Sequence, residues 1–223
     1  MKRRRNKRAK KVAIAMFVML PSLALAVLVI FSHHIYRDET VKPVTPKIIK
    51  LETAIKLQLR QSRYTGKSHQ LPLSGIFLIK QFEGFSAIAM PDILHDIPTI
   101  GYGATLKLDG THWRLGEKIS PTQADDLLLL QLDRDYLPMI KRLPSWKEMS
   151  ANQQGALLDY SYNLGPYFYG HRGFESISSA LHSKKHWYRV PASLRLYRNP
   201  GTKAERGLLR RRMAEGRLWA TKD

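Results

Sequence analysis

The chain has 223 residues, of which 37 are Lys or Arg and 18 are Asp or Glu, giving a formal charge of +19 and a sequence pI near 10.2. Hydrophobic residues at 43% and charged residues at 25% are ordinary for a globular protein and exclude a collagen-like or wholly disordered chain. The absence of cysteine excludes disulfides, iron–sulfur clusters, thiolate-held zinc and thiol catalysis.

The excess charge first suggests nucleic acid as a partner. Residues 1–11, MKRRRNKRAKK, carry eight basic side chains and no acidic one, which leaves 29 basic and 18 acidic residues for the rest of the chain. Residues 12–31 follow as twenty positions of which only Pro21 and Ser22 are not plainly apolar. As a helix they reach about 30 Å, the thickness of a bilayer's hydrocarbon core. The expectation is a single transmembrane signal anchor. Cleavage as a signal peptide after Ala26, in Ala24-Leu25-Ala26, is the competing reading, and the apolar run that continues through residues 27–31 weighs against it. Basic residues before the span place the N-terminus in the cytoplasm and the remainder of the chain on the periplasmic or cell-wall side of the inner (cytoplasmic) membrane. Residues 32–72 read as a spacer, with Pro43 and Pro46, the amphipathic stretch KIIKLETAIKLQLRQ and a loop. Residues 73–223 are enough for one domain with its own core.

Within that domain, residues 74–82 read as a helix with Ser74 as its N-cap and Gly84 as its stop. From 97 to 113 the composition turns β-branched and aromatic around Asp109-Gly110, a hairpin signal. Ser120-Pro121-Thr122-Gln123 is a capping box with proline at the first helical position, opening a helix toward Tyr136. Ser150-Ala151-Asn152-Gln153 repeats the box for a helix expected to end near Asn163, before Gly165. Further helices are expected at 176–182 and 205–219. One hairpin followed by helices is an α+β domain.

Chemistry gathers where the first helix meets the sheet. Glu83 closes the helix, Asp92 follows nine residues later, and Thr99 opens the strand Thr99-Ile100-Gly101-Tyr102-Gly103. Two carboxyl groups and a hydroxyl suit glycoside hydrolysis, in which one carboxyl donates a proton to the leaving oxygen and the other activates water or stabilises the sugar cation. A helix C-terminus favours the protonated form of the first. Spacing alone leaves surface and turn roles open for all three residues.

The words around them narrow the reading. LIKQFEGF, then Asp92, then TIGYGAT resembles the opening of the phage-type lysozymes, the endolysins of glycoside hydrolase family 24. QQGALLDYSYNLG resembles that family's central helix and LYRNPGTKAERGLLRRRMAEGRLW its closing segment. The resemblance implies a lysozyme-like, two-lobed fold, with a small β-hairpin lobe and a mainly helical lobe. It also implies cleavage of the β-1,4 bond between N-acetylmuramic acid and N-acetylglucosamine in peptidoglycan, with inversion at the anomeric carbon. By motif position, Glu83 is the general acid, and Asp92 and Thr99 activate or position water. Tyr102, Tyr162 and Asn163 are the candidate sugar contacts. No cofactor or metal is expected, and the protein is read as monomeric.

Two features depart from the family pattern. The loop DILHDIPT is one residue longer than in the shorter versions and lacks their glycine, so Asp96 competes with Asp92 for the second carboxylate. Ala104 stands where a histidine often follows Gly-Tyr-Gly. Tyr160, Tyr162, Tyr167, Phe168 and Tyr169 could wall a sugar site, but their helical spacing suits core packing better. The run Arg210-Arg211-Arg212 is expected to tie the last helix to acidic neighbours or to solvent. Alternatives to the hydrolase are a wall-binding or wall-assembly protein that has lost catalysis, and a membrane-anchored nucleic-acid binder. The second rests on charge alone, so nucleic acid is not expected as a partner and an anionic wall polymer is.

Overall fold

The computed structural model describes residues 71–91 and 97–222. The expected basic tail, the anchor at 12–31 and nearly all of the spacer lie outside these residues. Among the described residues no helix is long and apolar enough to cross a membrane.

Helix α1, Leu73–Glu83, starts one residue earlier than expected, after Pro72 in extended conformation. Ser74 is therefore not the N-cap. It sits inside the first turn, where its hydroxyl donates to the Ala151 carbonyl at 3.3 Å. Gly84, at φ 70°, ends the helix in a conformation that disfavours a side chain.

Strand β1, Ser86–Pro91, pairs antiparallel with β2, Pro98–Gly101, with Met90 opposite Thr99 and Pro91 opposite Pro98. On its other edge β1 exchanges bonds with the segment after the turn at 115–116: Ala89 N–H donates to Glu117 O at 2.8 Å and Ile119 N–H to Ala87 O at 2.9 Å. The Asp109-Gly110 turn is present, closed by Lys107 N–H to Thr111 O at 2.8 Å, but beyond it only the Leu106–His112 bridge forms. The main pairing thus uses a strand that precedes the expected hairpin.

Helix α2, Pro121–Gln131, carries the expected capping box. Ser120 Oγ accepts from Gln123 N–H at 3.2 Å, and Gln123 Oε1 accepts from Ser120 N–H at 2.9 Å. The helical path continues as a π-helical stretch, Leu132–Tyr136, and a short α3, Leu137–Ile140. After a 3₁₀ turn at Trp146–Glu148 comes α4, Ala151–Leu164, opened by the second capping box and ended by Gly165 at φ 95°. Helix α5 spans Glu175–Leu181 and α7 spans Glu205–Ala220, close to the expected ranges. Between them lie a 3₁₀ helix, Lys184–Arg189, and α6, Val190–Leu194.

Helix α4 is the hub, packed against both α1 and α7. It meets α1 backbone to backbone: a Cβ on Gly75 would lie 2.5 Å from Gly155 O, so neither glycine has room for a side chain. Around it Ile79, Leu157, Leu158, Ile177, Leu181 and Val190 are fully buried, and Trp187 meets Trp219 edge to face at 5.6 Å.

Candidate active site

The glycine crossing brings the end of α1 alongside the middle of α4, and α7 closes the third side. Glu83 lies there with only 3% of its surface exposed. Arg211 Nη1, from α7, donates to Glu83 Oε1 at 2.6 Å. The other two nitrogens of that guanidinium turn to Asp159 on α4: Nη2 donates to Oδ1 at 2.8 Å and Nε to Oδ2 at 3.0 Å. All three side chains are enclosed by protein.

Burial pushes the Glu83 carboxyl above the usual carboxylate range. Arg211 opposes that shift, and the negative charge of Asp159 reinforces it. Burial alone would lower the Arg211 pKa, but the carboxylates of Asp159 and Glu83 outweigh it, so the guanidinium stays charged. The arrangement is a buried carboxyl of raised pKa that a fixed cation orients. Such a group can act as a proton donor to a leaving oxygen.

A second buried pair adjoins the first. Arg212 Nη2 donates to Asn163 Oδ1 at 3.1 Å and makes a short contact with Glu215 Oε1, while its guanidinium lies 4.8 Å from the Tyr160 ring centroid. Glu215 is pushed well above its ordinary range, first by burial. Here hydrogen-bonding capacity is left over: among the described residues, Arg212 Nε and Nη1, Asn163 Nδ2 and the Tyr160 hydroxyl meet no partner.

The sheet reaches the site through Tyr102, just beyond β2. Lys80 Nζ, on α1, sits 5.1 Å above the Tyr102 ring and pairs with Asp125 Oδ1 of α2 at 2.8 Å. Burial, with help from Asp125, raises the Tyr102 pKa. The Tyr162 hydroxyl donates to the Tyr102 carbonyl at 2.7 Å, stitching α4 to the sheet. Tyr162 and Asn163 are buried, with polar atoms engaged inside the protein, and Tyr102 is buried as well.

Thr99 lies half-buried in β2 opposite Met90. Asp92 and its rival Asp96 lie outside the described residues. Pro91, immediately before Asp92, pairs with Pro98, immediately before Thr99. Among the described residues, no group of three or more His, Asp or Glu is arranged to hold a metal ion.

The sequence reading missed Asp159 and Glu215. The signal for Asp159 was a charge within the largely apolar and aromatic stretch ALLDYSY, and that for Glu215 its place just after the arginine run. Of that run, Arg211 and Arg212 turn inward and Arg210 outward. Tyr160, Tyr162 and Phe168 are core, as their spacing suggested, whereas Tyr167 is exposed.

The phage lysozyme family matches residues 80–215, more than half of the chain, a stretch that contains Glu83, Thr99, Asp159, Arg211 and Arg212. The chain belongs to the phage lysozyme family. It is 31% identical over 147 residues to an endolysin of Lactococcus phage c2, covering 66% of this chain and 58% of that protein. It is 34% identical over 98 residues to the endolysin of Salmonella phage P22, covering 43% of this chain and 64% of that protein. The matches thus span less than two thirds of these relatives. Among solved structures, the endolysin from Escherichia coli O157:H7 phage FAHEc1 aligns with a TM-score of 0.53 at 25% identity, over 66% of this chain and 90% of that one. The architecture described above, a small sheet beside a mainly helical lobe, is that lysozyme-like α+β fold.

Proposed function

We propose that this protein hydrolyses peptidoglycan at the β-1,4 bond between N-acetylmuramic acid and N-acetylglucosamine, with Glu83 as general acid. The observation that carries the reading is the state of Glu83: buried, raised in pKa and anchored by Arg211. Its place at the C-terminal end of α1 adds the negative end of the helix dipole, which also favours the protonated form. Glu83 donates its proton to the glycosidic oxygen as the bond to the anomeric carbon breaks. Water adds to that carbon, and its proton passes to the second carboxylate. Asp92 is assigned that role and Thr99 the task of holding the water, on the strength of their family motif positions. Tyr102 is the proposed sugar contact nearest the sheet. Inversion, with water between the two carboxyls, calls for a separation of about 6.5–9.5 Å.

The substrate also fits the charge. Outside the first eleven residues the chain remains strongly basic, and an anionic wall polymer is attracted to such a surface in a salt-dependent way. Residues 12–31 are proposed as a membrane anchor holding the domain on the wall side of the inner membrane, supported by their apolar length and by the basic residues before them.

The test is digestion of purified sacculi with the full chain, followed by analysis of the released muropeptides. Reducing N-acetylmuramic acid ends are expected. Anhydro ends indicate a transglycosylase, and release of nothing from sacculi that the protein nevertheless binds indicates a wall-binding protein instead.

A further inference from the structure

Asp159 has no route to a substrate. It is wholly enclosed, and both of its oxygens are taken up by Arg211. It interrupts a helix whose neighbouring positions, Leu157, Leu158 and Tyr160, are all core. A buried ionised carboxylate costs several kcal/mol unless it is paired, so a role worth that cost has to act through its partner.

That partner creates a conflict. A guanidinium beside a carboxyl lowers its pKa by about 1–3 units, yet a general acid has to keep its proton at working pH. Arg211 facing Glu83 alone would fix the acid in place and at the same time pull its pKa down against the effect of burial. We infer that Asp159 is the positioning residue that resolves this: it binds two nitrogens of Arg211 and matches its charge, so that the third nitrogen orients Glu83 without stripping its proton. The inference rests on Glu83 being the general acid.

The surroundings agree. Glu83 is faced from α4 by Asp159 and Tyr162, and from α7 by Arg211 and Arg212, with Glu215 behind them. The nearest cation on its own helix, Lys80, is paired to Asp125. Three carboxyls, Glu83, Asp159 and Glu215, therefore share an enclosed volume with two guanidiniums. Asp159 is the one gripped by two guanidinium bonds. Burial raises Glu83 and pushes Glu215 well up.

The experiment is the initial rate of sacculus hydrolysis as a function of pH, with the full chain, for the unsubstituted protein, Asp159→Asn and the double variant Arg211→Gln/Asp159→Asn. In Asp159→Asn the unmatched guanidinium draws Glu83 toward ionisation. The alkaline limb of the profile is expected to move to lower pH by about one unit, with the half-saturating amount of sacculi unchanged. In the double variant the bond and charge of Arg211 are gone while burial and the lesser pull of Arg212 remain, so the limb returns to or above that of the unsubstituted protein. Removing both members of a buried pair is far better tolerated than removing one, so the double variant keeps the test alive if the single one does not fold. A loss of rate at every pH with no movement of the limb shows a merely structural aspartate and overturns the inference, as does a double variant whose limb falls below that of the unsubstituted protein. Absence of hydrolysis by the unsubstituted chain overturns the reading of Glu83 and this inference with it, whereas an active chain whose limb ignores Asp159→Asn overturns this inference alone.

Discussion

On the helical side of Glu83, α1, α4 and α7 meet through a glycine-to-glycine crossing and a closed set of ion pairs. On the sheet side, β1 and β2 are six and four residues long and leave Phe85, Ile88 and Met90 exposed. A ribbon this short is marginal without support. It receives support from Ala89 and Ile100 packed into the core and from the Tyr162 hydroxyl bonded to the Tyr102 carbonyl. Glu83 thus sits among closely packed helices, whereas Thr99 is carried by the short ribbon.

Substitutions can break that contrast at graded cost. The largest effect on stability is expected from Arg211→Met, which strands Asp159 and Glu83 in a closed interior. Losing one member of a buried ion pair costs about 3–5 kcal/mol, and urea unfolding of the full chain should show it. Gly155→Ala comes next, because its Cβ would overlap Ser74 Oγ and lie 2.7 Å from Gly75 N. Forcing the two backbones apart should cost about 1–3 kcal/mol and also reduce hydrolysis, since the crossing sets the position of Glu83. A Gly155→Ala protein as stable and active as its parent would show that the close approach is not what aligns the site. Ser120→Ala removes one capping bond of α2, and about 1 kcal/mol is expected, visible as a small drop in the urea midpoint with no change in activity. At the soft end, Leu108→Ser on the exposed hairpin turn should stay within about 0.5 kcal/mol. A cooperative loss of stability from that change would mean that the sheet is as tightly integrated as the helices.

Legibility in the sequence followed the same division. Both capping boxes, at Ser120 and Ser150, and the stop at Gly165 were readable because each is decided within four residues of chain. The Asp109-Gly110 turn was readable for the same reason. Strand β1 was not: SAIAMP has little intrinsic strand preference, and it is a strand because Thr99, Glu117 and Ile119 lie beside it. Ser74 looked like a cap by residue type, but the close passage of α4 gives its hydroxyl another use. The π-helical stretch at Leu132–Tyr136 left no mark in the apolar pattern. At the candidate site, Glu83 stood out through its place at a helix end and its motif. Its electrostatic frame did not, because Arg211 lies 128 residues from Glu83 and 52 from Asp159, separations that no periodicity encodes.

Glu83→Gln probes the account at its centre. The amide keeps the shape and can still accept the Arg211 bond, but it has no proton to give. The raised pKa of Glu83 also fixes the sign of its effect on stability. The folded state holds this proton more tightly than the unfolded chain, so the stabilisation is present below the ordinary carboxylate range and fades as pH climbs through the raised value. A permanently neutral Gln avoids that loss, and the variant should melt no lower than its parent at neutral and alkaline pH. Hydrolysis of purified sacculi by this folded variant should drop by about 10²–10⁴-fold, the usual contribution of a general acid. A folded Glu83→Gln protein that clears sacculi at the rate of its parent would contradict the assignment.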